Sequence, residues 1–226
     1  MPKKSTIEFA TSDGHMAQGY LAEPDSGSHG QAIVVIHEWW GLQDQIKHIC
    51  DRYAEAGFRA LGVDLYGGEV AKNAERAGEL MGSLDFKGAA INIVGGAVRW
   101  LKEGSRRVGV TGYCMGGVVT VLSAAWVEGV DAAVAFYGLP DPPKSYDSRK
   151  ITIPFLAHFA NRDEWCTPEN AKAFTKALKS FNTNAQSWFY EADHAFCNDR
   201  RPEVYSAEAA AQAWGRTVIF FKDQLT

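Results

Sequence analysis

Cysteine is scarce in this chain: four in 226 residues, at positions 50, 114, 166 and 197, with no C-x-x-C pair among them. That spacing speaks against a disulfide framework and against a zinc finger, and leaves reduced thiols as the simplest state. Long apolar runs are missing too. No stretch approaches the roughly 20 residues that cross a bilayer, and the N-terminal MPKKSTIEF passes into an alternating segment without the apolar core of a secretory signal. Positive charge is not in excess. Lys and Arg number 23 against 27 Asp and Glu, a formal net charge of −4, and the basic residues are scattered apart from pairs such as Arg106-Arg107 and Arg200-Arg201. No field is therefore available to hold a phosphate backbone. Internal repeats, low-complexity segments and linkers are also absent. The expectation is a soluble, cytoplasmic protein that engages neither nucleic acid nor membrane.

What is present is a 46% apolar chain, enough to bury one sizeable core, so residues 1–226 are expected to form a single domain. TIEFA and MAQGYLA read as two strands, and the Asp13-Gly14 step between them is a hairpin signal. EPDSGSHGQ is a polar loop. AIVVIH is an unbroken apolar run, the mark of a strand covered on both faces. A helix follows from Gln43 to Ala56, with Ile46, Cys50, Tyr53 and Ala54 at helical spacing and Gly57 as its stop. RALGVDLY is the next buried strand. Helices are expected around Ala74 to Met81 and from Ala89 to Leu101. RVGVTGY is a strand leading into a helix that begins at CMGG. VDAAVAFYG, TIPFLAHFA and AQSWFYEA are three more strands, with a helix from Pro168 to Phe181 between the last two and a final helix from Ala207 to Leu225. Strands alternate with helices from residue 32 onward, which predicts an α/β fold: a mostly parallel central sheet, helices on both faces, and an N-terminal antiparallel hairpin.

One turn of this pattern carries chemistry. A parallel sheet opens its crevice at the carboxyl ends of its strands, and TGYCMGG sits at such an end. Gly112, Tyr113, Cys114, Met115 and Gly116 match small-x-nucleophile-x-small, the signature of a strand-to-helix turn too tight for larger side chains on either side. A plain core cysteine is the competing reading. On the turn, the sulfur would lie at a helix N-terminus, whose unpaired N–H groups favour negative charge, and the Met115 amide would face a developing oxyanion.

The competing reading weakens because partners appear in the order this turn requires, nucleophile, acid, then histidine, each beyond a later strand. Asp163 follows TIPFLAHFA and His194 follows AQSWFYEA. A thiol needs a base to take and return a proton, and an imidazole needs a carboxylate to hold its tautomer. Asp193 and Asp141 are rival acids, but the first adjoins the histidine and the second comes one strand early, so Asp163 is preferred. Glu38 stands directly after the apolar strand AIVVIH, where an unpartnered buried carboxylate would be costly. Trp39 next to it is positioned to donate a second oxyanion amide. Cys166 and Cys197 lie near Asp163 and His194, but without a tight ligand pair no metal is expected. Cys50 reads as helix core.

HEWWG, VDLYGG, GYCMGG, NRDEW and HAFCNDRRPEVY, in this order along almost the whole chain, resemble the dienelactone hydrolase family of the α/β-hydrolase fold. The resemblance implies a cofactor-free carboxylic ester hydrolase that opens enol-lactones such as dienelactones. Cys114 would attack the carbonyl and pass through a thioester, with His194 and Asp163 completing a triad. Glu38 would help form the thiolate from a resting thiol that is poorly paired with the histidine. A dienelactone carries a carboxylate, so an arginine clamp is expected. The family places one arginine after DLY, matched here by Arg76, and another four residues past the histidine, where this chain has Asn198. Arg200 and Arg201 lie close by, and with Arg76 and Asn198 they are the candidate substrate-binding residues. Tyr137 is placed to line the crevice, and Trp39 and Trp40 to wall it. The other readings are a general carboxylesterase for small esters, a non-catalytic relative that binds a small ligand, and a dehalogenase, which would usually carry aspartate in the turn.

Overall fold

The computed structural model describes residues 1–25, 30–140 and 147–226; part of the polar loop before the first parallel strand and the rival acid Asp141 lie outside them. The chain opens as a hairpin, β1 (Lys3–Ala10) against β2 (Met16–Glu23), in antiparallel register from Lys3 opposite Glu23 to Ala10 opposite Met16. Its turn is held by Thr11 N–H donating to the His15 carbonyl at 2.8 Å, with Gly14 at φ +87°. That is the conformation for which the Asp-Gly step is suited.

The rest alternates: β3 (Gln31–Ile36), α1 (Asp44–Glu55), β4 (Arg59–Val63), α2 (Ala74–Ser83), α3 (Phe86–Gly88), α4 (Gly95–Lys102), β5 (Arg107–Tyr113), α5 (Met115–Trp126), β6 (Ala132–Phe136), β7 (Phe155–Arg162), α6 (Pro168–Lys179), β8 (Ala185–Asp193) and α7 (Ala207–Gln224). The strands form one sheet in the order β1-β2-β4-β3-β5-β6-β7-β8. Only β1–β2 and β2–β4 pair antiparallel; every pairing from β4 to β8 is parallel. This is the mostly parallel α/β arrangement that the alternation of apolar strands and amphipathic helices predicts, and it agrees with the α/β-hydrolase fold that the resemblance implies.

The continuous apolar runs have a simple cause. Along β3, Ile33 and Val35 face a cluster completed by Ile46 and Tyr53 of α1 and Phe220 and Phe221 of α7. Ala32, Val34 and Ile36 face the opposite cluster, with Val98 and Leu101 of α4 and Val119 and Leu122 of α5. Side chains alternate across a strand, so helices on both faces require apolar residues at every position.

One helix differs from the expectation. In place of an α-helix from Ala89 to Leu101, the helical run starts at Phe86, widens into a π-helical segment at Ala89–Val94, and becomes α4 at Gly95. Asp85 caps the start by accepting from Gly88 N–H at 3.0 Å. The widened turn offers its carbonyls sideways: Ile91 O accepts from Ser12 Oγ at 2.8 Å and Asn92 O from Ser12 N–H at 3.0 Å. The partner lies 79 residues earlier, so local periodicity carries no trace of it.

Within the sheet, His158 of β7 is fully buried. Its ring nitrogens lie 2.8 Å from Tyr190 Oη and 2.9 Å from Thr217 Oγ1. Burial, with the nearby Arg216 charge, pushes the imidazole down to about 3. The unfolded chain would bind the proton near pH 6.5, so His158 stabilises the fold above that pH and the contribution is lost as pH falls toward 3. Urea unfolding between pH 7 and 4.5 should therefore lose stability with a slope of up to about 1.4 kcal/mol per pH unit from this group. His158→Gln should flatten the slope while lowering stability at pH 7; an unchanged slope would remove His158 as its source.

Candidate active site

The site is built on the turn that joins β5 to α5. Cys114 has φ 54° and ψ −115°, a conformation that costs a non-glycine residue on the order of 1–3 kcal/mol. The turn is held from outside: Cys114 N–H donates to the Phe136 carbonyl at 3.0 Å, and Gly117 N–H and Val118 N–H donate back to the Cys114 carbonyl at 2.9 and 3.2 Å. Two glycines make the approach possible. A Cβ on Gly112 would meet the Gly116 carbonyl, and one on Gly116 would meet the carbonyls of Ile36 and His37. The small-x-Cys-x-small pattern thus answers a backbone contact on each side. Among the described residues, three non-glycine positions have positive φ, Cys114, Tyr137 and Ala195, and all three line one cavity.

The end of β8 brings His194 to the wall of that cavity, and the end of β7 places Asp163 behind it. His194 Nε2 lies 3.0 Å from Cys114 Sγ, and its Nδ1 lies 2.8 Å from Asp163 Oδ2. The other Asp163 oxygen accepts from the backbone N–H groups of Trp165 and Cys166, both at 2.8 Å, which fixes the carboxylate. A carboxylate accepts only, so Nδ1 carries a proton and Nε2 is left to exchange one with sulfur. Burial alone would push this imidazole down; the Asp163 hydrogen bond and the facing sulfur outweigh it and raise His194 to about 10. The rival Asp193 points elsewhere, paired with Arg162 at 3.0 and 3.1 Å on the surface.

Glu38, 3% exposed, also faces the cavity. Its Oε2 accepts from Asn198 Nδ2 at 2.6 Å and its Oε1 from Tyr137 Oη at 3.3 Å. Burial raises its carboxyl above the ordinary range, against the pull of Asn198, the His194 charge and Tyr137. Two expectations are corrected here. The thiol is already against the imidazole, with Glu38 engaged by neutral donors, so the poorly paired resting thiol does not describe this structure. Asn198 is not on the cavity wall either: it is buried and turned inward to Glu38.

The cavity measures about 330 Å³ and is lined mostly by apolar side chains. Trp39, Tyr137 and Arg201 are on its wall, as the sequence predicts. Arg76, Arg200 and Trp40 are not. Arg76 is claimed by Glu69 at 2.6 Å and Glu79 at 2.6 Å on the exposed face of α2. Arg200 touches the site only through its backbone N–H, donating to Asn198 Oδ1 at 3.0 Å. Trp40 packs edge-on behind Trp39, centroids 5.0 Å apart. The walls that sequence reasoning missed are Met81, Phe86, Val118, Leu139, Trp165 and Cys166. Of these only Trp165 and Cys166 carried a signal, as near neighbours of Asp163. No group of three or more His, Cys, Asp or Glu among the described residues could hold a metal ion, and no helix there is long and apolar enough to cross a membrane.

A sequence model of the dienelactone hydrolase family matches residues 17–225. "Protein usf" of Aquifex pyrophilus is 36% identical over 231 residues, covering 97% of this chain and 98% of its own. A "Putative carboxymethylenebutenolidase" of Aquifex aeolicus is 35% identical over 230 residues, with 97% and 98% covered. The crystal structure of a "Putative Dienelactone Hydrolase" from Klebsiella pneumoniae superposes with a TM-score of 0.85 at 24% identity, covering 97% of this chain and 99% of that one, a likeness of fold.

The geometry predicts selective alkylation. Cys50, Cys166 and Cys197 are pushed up by burial, whereas Cys114 opens on the cavity beside an imidazole. Limiting iodoacetamide followed by peptide mass mapping should label Cys114 first, and His194→Asn should slow that labelling at least about tenfold. Faster labelling at any other cysteine would contradict the assignment.

Proposed function

The chain belongs to the dienelactone hydrolase family, and from that premise we propose that it hydrolyses lactones and activated esters by covalent catalysis at Cys114, working as one hydrolase domain. The observation that carries this reading is the continuous chain of contacts from Cys114 Sγ through His194 to Asp163, at 3.0 and 2.8 Å, opening on an apolar cavity.

In the proposed cycle Cys114 Sγ attacks the substrate carbonyl carbon. A C–S bond forms, the thiol proton resides on His194 Nε2, and the carbonyl electron pair moves onto oxygen. The backbone N–H groups of Met115 and Trp39 meet that oxyanion. Met115 is the first residue of α5, where the N–H groups have no intrahelical partner and the helix dipole favours negative charge. Collapse of the intermediate breaks the C–O bond, and His194 gives its proton to the departing oxygen, leaving a thioester. Water then attacks, His194 takes its proton, and the C–S bond breaks to restore the thiol. Asp163 remains ionised throughout and stabilises the imidazolium. No step requires a cofactor or metal.

Sulfur chemistry narrows the substrate. A thiolate is itself a good leaving group, so the intermediate goes forward only when the departing oxygen leaves readily, as an enolate does; an amine leaves poorly unless protonated. The name of the Aquifex aeolicus relative, a carboxymethylenebutenolidase, supports a lactone of this kind. The apolar lining supports a second reading, an esterase for small activated esters. A purely binding role has no use for a strained nucleophile aligned with base and acid. Glu38 is proposed to act with the site by holding the turn that carries the Trp39 amide, itself fixed by Asn198 and Tyr137.

Assay of p-nitrophenyl acetate and a dienelactone side by side tests the proposal. Cys114→Ala and His194→Ala should each lower kcat at least about a thousandfold on both substrates, and the double variant should lose little more, because the two groups act as a unit. Residual turnover near wild type in Cys114→Ala would reject the nucleophile.

A further inference from the structure

The cavity above Cys114 is short of free charge. Its cation, Arg201, already donates to Glu203 Oε1 at 2.8 Å from Nε. Its two acidic or basic neighbours, Glu38 and His194, are engaged with Asn198, Tyr137, Asp163 and Cys114. A substrate carboxylate would share Arg201 with Glu203 at a solvent-exposed rim, where an ion pair contributes little, and would face the buried Glu38 carboxyl group across the cavity. The remaining wall is the reverse of anion-binding: Trp39, Phe86, Val118, Leu139 and Trp165 surround about 330 Å³.

Trp165 is the odd member. It is 75% exposed, although it forms part of this wall. A large aromatic surface left in water is unfavourable in proportion to its area, and a ligand that covers it removes that cost. Its backbone is fixed, because the main-chain N–H of Trp165 donates to Asp163 Oδ1 at 2.8 Å, the same carboxylate that orients His194. The residue that carries the indole is therefore anchored beside the reacting groups.

Resting on the hydrolase reading above, we propose that the site selects uncharged esters or lactones bearing an apolar substituent of about phenyl size, and that Trp165 sets this preference by covering that substituent. The consequence is that carboxylate-bearing lactones are secondary substrates for this chain.

Four enol esters test it: vinyl acetate, vinyl 3-phenylpropanoate, the monovinyl ester of succinate, and 1-phenylvinyl acetate, which carries the ring on the departing side. The better of the two phenyl-bearing esters should exceed both vinyl acetate and the succinate ester in kcat/KM by at least about tenfold, the scale of apolar-pocket discrimination. Trp165→Ala should reduce that ratio by about tenfold, mainly through KM, and Trp165→Phe should restore most of it. Which phenyl ester leads assigns the substituent to the acyl or the enol side. Preference for the succinate ester, or a ratio unchanged in Trp165→Ala, overturns the proposal while leaving the hydrolase reading intact. Turnover of none of the four esters, or turnover undiminished in Cys114→Ala, overturns the hydrolase reading and this proposal with it.

Discussion

One imidazole joins groups that the chain keeps far apart: His194 touches Cys114 across 80 residues and Asp163 across 31. Neither contact can form unless β5, β7 and β8 end at the same height, and parallel pairing through β6 sets that height. β5, β6 and most of β7 are buried on both faces, so a slip of one residue there would exchange the two core clusters and is strongly disfavoured. The site is thus as rigid as the sheet beneath it, which is the condition for holding donor and acceptor within hydrogen-bond reach.

The same rigidity supports strain. Positive φ at Cys114, Tyr137 and Ala195 costs stability at each position, and the surrounding sheet and helices over-determine these conformations. All three follow strand ends and line the cavity beside the groups that meet there: the sulfur itself, the hydroxyl that reaches Glu38, and the segment that carries His194. Glycine is used where two backbones touch rather than at Cys114, whose side chain reaches His194.

What was legible in the sequence follows from range. Strands and helices were readable because burial on two faces or on one imposes a period that spans only a few residues. The elbow was readable for the same reason, since Gly112, Cys114 and Gly116 lie within five positions. Asp163 and His194 could be found among many acids and six histidines because strand order dictates chain order. His158, equally apolar in its surroundings, has no strand end beside it and serves the core. Arg76 misled because nothing local says that Glu69 and Glu79 will claim it. Asn198 misleads in the opposite sense: its place in the chain points to the cavity wall, and its side chain lies behind that wall against Glu38. Val118 and Leu139 could not be distinguished from core residues, since an apolar side chain facing a cavity and one filling a core look alike before the chain is folded.

Ser12 gives the N-terminal hairpin a mechanical part in all this. Its two hydrogen bonds to the π-helical segment act as a strut between the outermost strand pair and the helical run that begins at Phe86, a residue on the cavity wall. The width of the substrate chamber is therefore braced by a loop near the start of the chain that touches no substrate. Sequence drift in that loop offers a route by which relatives could widen or narrow the chamber while leaving every reacting group untouched.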